Sequence, residues 1–270
     1  MQHVSRHSFA EYLYIIDIDD LVRIGGKHDG GYIVPKSCVL RSDALISCGL
    51  GSNWEFELQF RILNKNAVIY CYDHTVSERT ILCNSIVTFL RLIATRASFA
   101  DFIGSVNMMR EWKKLDRIAN CFQRRVVTRK NTALDVSVDE MFSQAGDRRH
   151  IFLKMDIEGC EYGALLQVLK YADVLDCIVV EFHDTEALRL TFESVISKVR
   201  AHFDIVHIHG NNYTGVGEDG LPESLEITFL AKRFAQDRRV REKTYLSNLD
   251  APCNRRREEV FFDLESHVLS

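Results

Sequence analysis

The chain has 270 residues, of which 46% are hydrophobic and 27% charged, and its formal net charge is -4. This length and composition suit a globular fold with a full core, and they exclude a low-complexity or mainly disordered chain. The small negative charge gives no general attraction to nucleic acid or to anionic membranes, so neither is predicted as a partner.

Eight cysteines are spread along the chain without a Cys-x-x-Cys pair. Several lie within apolar runs, which is typical of buried free thiols in a reducing compartment rather than of a disulfide framework or a zinc site. The apolar run at 12–16 is too short for a membrane span or a signal peptide. A cytoplasmic protein without a membrane span is therefore predicted.

The N-terminal region, residues 1–40, is predicted to form a short helix and a glycine-rich hairpin that packs on the core. Two β-rich segments, 21–24 and 32–34, flank a turn with four glycines at 25–31. These glycines either turn the chain, which the composition favours, or let a bare backbone approach a ligand closely.

A nucleotide-binding α/β unit is predicted next. An apolar strand runs into the turn that begins at Gly49, a helix follows, and the strand at 67–72 ends at Asp73. The spacing from Gly49 to Asp73 suits an acid that accepts hydrogen bonds from ribose hydroxyls. A dinucleotide fingerprint would have a third glycine at position 54, where this chain has Trp54, and this departure disfavours NAD.

The stretch from 77 to 123 has helical periodicity over a longer length than a simple crossover needs. It is predicted to form a helical insertion, part of which serves as a lid or a partner surface. A short strand within 124–130 and a helix opened by a capping box at Ser137 follow it.

The apolar run 151–155 ends in Asp156, Glu158 and Glu161, and helical spacing of apolar residues resumes after them. Acids in this position lie at the carboxyl end of a parallel strand, where ligands bind in open α/β sheets. Capping of the following helix explains them equally well when they are considered alone. Glu161, one turn into the helix, is assigned the capping role.

Two later strands carry further candidate residues. The strand at 177–180 ends in Glu181 and His183, and the next one places His207 and His209 on one face. We interpret His207 and His209 as partnered histidines rather than metal ligands.

The last strand, 225–230, alternates in polarity, which indicates a half-solvated antiparallel strand. The tail, 233–270, is basic and then irregular. It is predicted either to pack back over the domain or to form a homo-oligomer contact.

Three sequence blocks carry a family resemblance. They are Arg23-Ile24-Gly25-Gly26 with Asp29-Gly30-Gly31-Tyr32, Ser47-Cys48-Gly49-Leu50-Gly51 followed by Phe56-Glu57, and Lys154-Met155-Asp156-Ile157-Glu158-Gly159-Cys160-Glu161. Together they resemble the FkbM-type family of S-adenosylmethionine-dependent methyltransferases. The third block is the most specific, because members carry a very similar Lys-x-Asp-x-Glu-Gly-x-Glu block.

The resemblance covers roughly residues 21–230 and implies a Rossmann-like class I methyltransferase fold, an α/β fold with a mostly parallel seven-stranded sheet and an antiparallel last strand. The methyltransferase domain would span 41–232, with the helical insertion at about 77–123. Because the family mostly methylates hydroxyl oxygens of sugars, polyketides and other small or glycan molecules, the resemblance implies O-methylation of such an acceptor.

The resemblance also implies residue roles around S-adenosylmethionine: a loop under the methionine part, an acid on the ribose, a histidine near the adenine, and acids at the methyl end. In that order the residues are Gly49, Gly51, Ser52 and Asn53; Asp73; His74; and Asp156 and Glu158.

For catalysis, His183 is the expected base, and Asp156 and Glu181 are expected to orient it or to hold a metal. By analogy with metal-assisted O-methyltransferases, Asp156, Glu181 and His183 or Asp184 would bind Mg²⁺ or another divalent cation. Two alternatives stay open. One is an NAD(P)-dependent oxidoreductase, and the other is a catalytically inactive methyltransferase-fold binding module.

Overall fold

The computed structural model describes residues 10–94, 97–218, 220–234, 239–240 and 247–261. Helices and strands alternate along most of this length, and 3-10 turns follow the seventh helix and the last strand. In chain order the elements are α1 (Ala10–Leu13), β1 (Leu21–Ile24), β2 (Tyr32–Pro35), α2 (Lys36–Arg41), β3 (Ala44–Cys48), α3 (Glu55–Leu63), β4 (Val68–Tyr72), α4 (Glu78–Ile93), α5 (Phe99–Asp116), β5 (Ala119–Phe122), β6 (Arg125–Val127), β7 (Asp135–Ser137), α6 (Val138–Ala145), β8 (Ile151–Met155), α7 (Glu161–Val168), β9 (Leu175–Phe182), α8 (Arg189–Val199), β10 (Phe203–Gly210) and β11 (Leu225–Ala231).

A seven-stranded sheet forms the centre of the fold, with the order β10-β11-β9-β8-β3-β4-β5. The pairs from β9 to β5 are parallel, and β11 runs antiparallel to both β9 and β10. The strand order reverses beside β3, as it does at the ligand-binding switch point of doubly wound sheets. The predicted Rossmann-like class I methyltransferase fold, with an antiparallel last strand, is therefore confirmed.

The central strands are buried because helices cover both faces of the sheet. On one face the apolar side chains of α1, α6, α7 and α8 form a core with the sheet. On the other face the core includes α2, α3, α5 and the hairpin of β1 and β2. Strands that are buried on both faces need mainly apolar runs, which the sequence shows at 44–48 and 151–155 apart from the buried Ser47 and Lys154.

The prediction that the last strand is half-solvated is wrong. All seven residues of β11 are buried, because its side chains lie in the cores on both faces of the sheet. Its alternating polar residues have partners instead of solvent: Thr228 Oγ1 donates to the Ile33 carbonyl at 2.7 Å, and Glu226 faces His209.

The glycine-rich hairpin is confirmed, with β1 and β2 paired antiparallel from Leu21–Pro35 to Ile24–Tyr32. Its loop is too narrow for side chains: a Cβ on Gly31 would lie 1.8 Å from the Gly26 carbonyl oxygen. Asn53 Nδ2 donates to the Asp29 carbonyl at 2.8 Å, so the loop lies against the turn that follows β3.

The helical insertion predicted at about 77–123 is wrong at its C-terminal end. Helices α4 and α5 form a helical hairpin, but residues 119–122 are β5, the edge strand of the sheet. Trp112 of α5 packs edge-on against Trp54 with 5.4 Å between the ring centroids. This contact fixes the helical hairpin of α4 and α5 to the domain. The lid or partner-surface role stays a prediction.

The tail segment 247–261 packs back on the domain, which is one of the two alternatives that the sequence predicted. Asn212 Nδ2, for example, donates to the Asn254 carbonyl at 3.0 Å. No helix among the described residues is both long and apolar enough to cross a membrane.

Candidate active site

A cavity of about 740 Å³ opens at the carboxyl ends of β3, β4, β8 and β9. This volume is within the range of about 300–1,000 Å³ that is usual for small-molecule and cofactor sites. The lining does not include Asp184, the alternative metal ligand, but it includes all the other residues predicted for cofactor binding, catalysis or metal binding: Gly49, Gly51, Ser52, Asn53, Asp73, His74, Asp156, Glu158, Glu181 and His183.

The turn after β3 needs its two glycines for different reasons. Gly49 has a φ of +82°, and a Cβ there would lie 1.6 Å from the Asp156 carbonyl oxygen, so this glycine lets two strand ends touch. Gly51 has a φ of +54°, and no atom lies within 4 Å of its Cβ position. The backbone at Gly51 is therefore open towards the cavity.

Asp73 fastens this turn to the end of β4. Its Oδ2 accepts hydrogen bonds from the N–H groups of Leu50 and Gly51 at 2.8 and 2.9 Å. Its Oδ1 accepts from the backbone N–H and the hydroxyl of Thr75, each at 2.6 Å. Burial raises the pKa of Asp73, but these hydrogen bonds outweigh it and the net pKa is lowered. Both oxygens thus have protein donors, and the ribose contact stays a prediction.

The first turn of α3 is acidic, with Glu55 and Glu57 next to the glycine turn. Glu57 is fully buried, where it accepts a hydrogen bond from Ser47 Oγ at 2.5 Å and lies 3.7 Å from Lys154 Nζ. Lys154 also donates to the Gly49 carbonyl at 2.7 Å. The buried lysine therefore connects β8, the glycine turn and α3.

At the end of β8, Asp156 and Glu158 face the cavity in different environments. Burial is the main reason why the pKa of Asp156 is raised. Glu158 has an 85% exposed side chain and a backbone φ of +53°, which is strained for a residue other than glycine. Such strain often accompanies functional sites.

His183 lies among carboxylates at the end of β9. Its Nδ1 is 3.0 Å from Glu161 Oε1. Its Nε2 points to the cavity and is 3.9, 3.6 and 3.7 Å from oxygens of Asp156, Glu158 and Glu181. Burial lowers the pKa of His183, but the Glu161 hydrogen bond and the surrounding negative charges outweigh it and raise the pKa to about 9. These protein groups therefore favour the imidazolium form of His183 at neutral pH.

Glu161 does more than the capping role that the sequence assigned to it. The side chain is fully buried and accepts from Gly159 N at 2.7 Å, which is the capping part. Its other oxygen accepts from the backbone N–H of His183 at 2.8 Å and faces the imidazole. Glu161, the first residue of α7, thus positions His183, which follows β9. The only sequence signal was its fixed place in the third block.

Glu181 is less available as a metal ligand, because one of its carboxylate oxygens is already hydrogen-bonded. Its Oε1 accepts from Asn211 Nδ2 and Ser224 Oγ, both at 2.7 Å. Burial is the largest cause that raises its pKa to about 8. Asp156, Glu158 and His183 each place one potential ligand atom within 4.8 Å of the others. This group therefore contains Glu158, where the sequence had predicted Glu181.

No protein-family model and no curated protein matches the chain. Among solved structures, similar chains include a fibrillarin pre-rRNA processing protein of Methanococcus jannaschii (6% identity, TM-score 0.39, 72% of this chain and 68% of that one). A precorrin-6y C5,15-methyltransferase of Geobacter metallireducens has 12% identity and a TM-score of 0.35 over 73% of this chain and 86% of that one. A putative caffeoyl-CoA O-methyltransferase of Staphylococcus aureus has 7% identity and a TM-score of 0.35 over 73% and 80%. Similarities at this level carry no argument about activity.

Proposed function

We propose that this protein is an S-adenosylmethionine-dependent methyltransferase of the FkbM type, which methylates a hydroxyl oxygen of a sugar, glycan or other small metabolite. The proposal is supported by the three sequence blocks, by the topology, and by the chemistry of the cavity. The chemistry of the cavity is also the evidence that favours a methyltransferase over a nicotinamide-dependent oxidoreductase.

One observation carries this distinction: the turn after β3 offers little to a pyrophosphate. In dinucleotide sites, free N–H groups of such a turn and the positive helix N-terminus bind the phosphates. Here the Leu50 and Gly51 N–H groups already donate to Asp73, and the exposed Glu55 puts negative charge in the first turn of α3. S-Adenosylmethionine has no phosphate, and its sulfonium and ammonium are positive.

The cavity lining also contains four further acids, Asp29, Asp156, Glu158 and Glu181, the last of which has a pKa raised to about 8. Of the basic lining residues, Arg125, Lys154 and His183 are each paired with an acid. Opposite charges attract most strongly where water is excluded, so the carboxylates at the ends of β8 and β9 favour a cationic ligand over an anionic one. Both observations point in the same direction, to an adenosyl sulfonium rather than a nicotinamide dinucleotide.

When bound, S-adenosylmethionine supplies an electrophilic methyl group for in-line transfer to an acceptor oxygen. His183 would receive the proton of that hydroxyl at Nε2, while Glu161 holds the ring through Nδ1. A base must be neutral, whereas the surrounding protein groups raise the pKa of His183 to about 9. A cation bound beside the imidazole would lower this pKa, so the base form is expected to arise only in the loaded site.

Asp156, Glu158 and His183 also form a donor set that could hold a divalent cation, with two carboxylates and an imidazole within ligand distance. Such a cation would lower the pKa of the acceptor hydroxyl. It would bind the neutral His183 through Nε2, so this arrangement is an alternative to His183 as the base, and metal binding would release a proton.

Asn211, Tyr213 and Thr214 complete the lining on the side of β10. Tyr213 is 50% exposed and so presents a ring with a polar tip to a ligand. Together with the amide and the hydroxyl, this surface suits an acceptor rich in hydroxyl groups. It is the part of the cavity that we assign to the acceptor.

Calorimetric titration with S-adenosylmethionine, S-adenosylhomocysteine and NAD tests the proposal. Binding of the first two without NAD is expected, and S-adenosylmethionine should bind more tightly because it alone has the sulfonium charge. At pH 8 its binding should release protons, which is measured by repeating the titration in buffers of different ionisation enthalpy.

The Asp156→Asn variant should lose most of the preference for the sulfonium, whereas Glu186→Gln, outside the cavity lining, should keep it. Binding of NAD instead would refute the proposal. Absence of binding by all three ligands would favour the inactive binding module.

A further inference from the structure

A second cluster of metal-binding side chains lies outside the residues assigned to the cofactor. It contains His209 of β10, Glu226 of β11 and Cys253 of the segment 247–261, which are 1%, 4% and 2% exposed. Their potential ligand atoms all lie within 4.8 Å of one another. Pairing of His209 with Glu226 across the two strands fixes two of the three side chains.

The distances within this cluster match those around a tetrahedral ion. His209 Nδ1 lies 3.0 Å from Glu226 Oε2 and 3.9 Å from Cys253 Sγ, and Cys253 Sγ lies 3.6 Å from Glu226 Oε1. Bond lengths of about 2.0–2.3 Å in tetrahedral zinc sites separate two ligand atoms by roughly 3.3–3.6 Å. Shifts of a few tenths of an ångström would therefore bring all three atoms to zinc-binding distances.

The donor types select among metals. A thiolate and an imidazole favour Zn²⁺, whereas Mg²⁺ and Ca²⁺ prefer oxygen ligands. The other ring nitrogen, His209 Nε2, lies 3.2 Å from Glu259 Oε1. A carboxylate on the far nitrogen is the usual arrangement behind a zinc-bound histidine, because it fixes the ring with a lone pair towards the metal.

We propose that His209, Glu226 and Cys253 bind Zn²⁺ and that the ion fixes the C-terminal segment to β10 and β11. His209 is partnered by Glu226 and Glu259, as the sequence indicated, and the proposal adds a metal ion to these contacts. Three protein ligands leave one tetrahedral position for water. Binding replaces the thiol proton of Cys253 and a proton of the imidazole, so zinc uptake releases protons.

The metal-free arrangement is a clear alternative. In it, His209 is an imidazolium shared by Glu226 and Glu259, and Cys253 stays a thiol because burial is the main cause that raises its pKa to about 12. This arrangement also satisfies the buried charges. It predicts no zinc and no change on adding it, so the two alternatives are separable.

The test is the metal content of the full chain, purified without an affinity tag or chelator. About one zinc ion per chain is expected from elemental analysis, because a site with three side-chain ligands survives dialysis. His209→Gln and Cys253→Ser should each lose most of the zinc. The matched controls are His207→Gln, which loses a buried contact to Asp250 in the same segment, and Cys38→Ser, at a fully buried cysteine elsewhere. Both should keep the zinc.

Cobalt provides a readout that does not depend on the folding of variants. Co²⁺ in the wild-type site should give the thiolate-to-metal absorption band and the intense visible bands of a tetrahedral complex. Wild-type protein that neither retains zinc nor shows these bands on cobalt titration would overturn the proposal. So would equal zinc retention by Cys253→Ser and wild type. Neither measurement involves S-adenosylmethionine, so this proposal can fail independently of the proposed activity.

Discussion

Replacing Glu161 with Gln is expected to lower the pKa of His183 by roughly one to two units. In the native structure that pKa rises from 6.5 to about 9, although burial lowers it, because the Glu161 hydrogen bond and neighbouring negative charges favour the imidazolium. A shift of this size corresponds to roughly 3 kcal/mol of differential interaction, at about 1.4 kcal/mol per unit. Glu161 contributes a large share, since it alone lies 3.0 Å from the ring. Glu181 and Asp156 contribute the rest.

The same substitution should change the pH dependence of stability. The folded-state pKa of about 9 lies above the unfolded value of 6.5, so the stabilisation is fully present below pH 6.5 and is lost as the pH rises through 9. The wild type should therefore lose stability between pH 6.5 and 9, and Glu161→Gln should lose much less over that interval. The pKa is measured by NMR titration of the His183 ring, assigned with a His183→Asn spectrum, and the stability by urea unfolding.

Glu158→Gln is the matched control. Its carboxylate also lies near the ring, at 3.6 Å, but the side chain is 85% exposed, so solvent screens it and a much smaller shift is expected. A folded Glu161→Gln protein in which the pKa of His183 stays near 9 would refute the assigned role of Glu161. Equal shifts in the two variants would refute it as well.

Two paired substitutions test the loops around the cavity. Gly49→Ala should destabilise the fold by several kcal/mol, since its Cβ would lie 1.6 Å from the Asp156 carbonyl oxygen. Gly51→Ala should destabilise it by only about 1 kcal/mol and should mainly weaken cofactor binding. Urea unfolding and calorimetry measure both, and equal destabilisation would contradict the distinction. Glu158→Gly should raise the melting temperature by roughly 2–4 °C, because it removes backbone strain at a φ of +53°. Asp184→Gly, at the same φ, should raise the melting temperature less, because Asp tolerates this conformation better than Glu does. A fall in melting temperature for Glu158→Gly would contradict the strain argument.

Features of the fold that depend on local patterns could be predicted from the sequence. The glycine turn after β3, the acid after β4 and the acids after β8 each follow a continuous apolar run, and their positions in the sheet follow from the βαβ pattern. Edge strand β5 was missed because Ala119–Phe122 is only four residues long and has no alternation of polarity. Alternation in β11 was misread as exposure, because the partner of Thr228 is a carbonyl 195 residues away in sequence.

Roles within the site depended on contacts that no local pattern shows. Glu161 reaches His183 across 22 residues of sequence, and Asp73 turns back to the N–H groups of Leu50 and Gly51. Spacing could place these acids at strand ends but could not show which groups they contact. For the same reason, Cys253 could not be connected with His209 before the chain was folded.

The backward path of the segment 247–261 has a consequence for how the chain folds. Arg23 Nη1 donates to the Leu249 carbonyl, and His28 Nδ1 lies 2.7 Å from the Pro252 carbonyl oxygen, so this segment contacts the N-terminal hairpin more than 220 residues away in sequence. Contacts of such separation form late, because a long loop must close before they gain any energy. During synthesis the sheet can assemble from β3 to β9 while the rim of the cavity near the hairpin still lacks this support. Full support for this rim is therefore expected only after residues 247–261 have been synthesised and have packed against the hairpin.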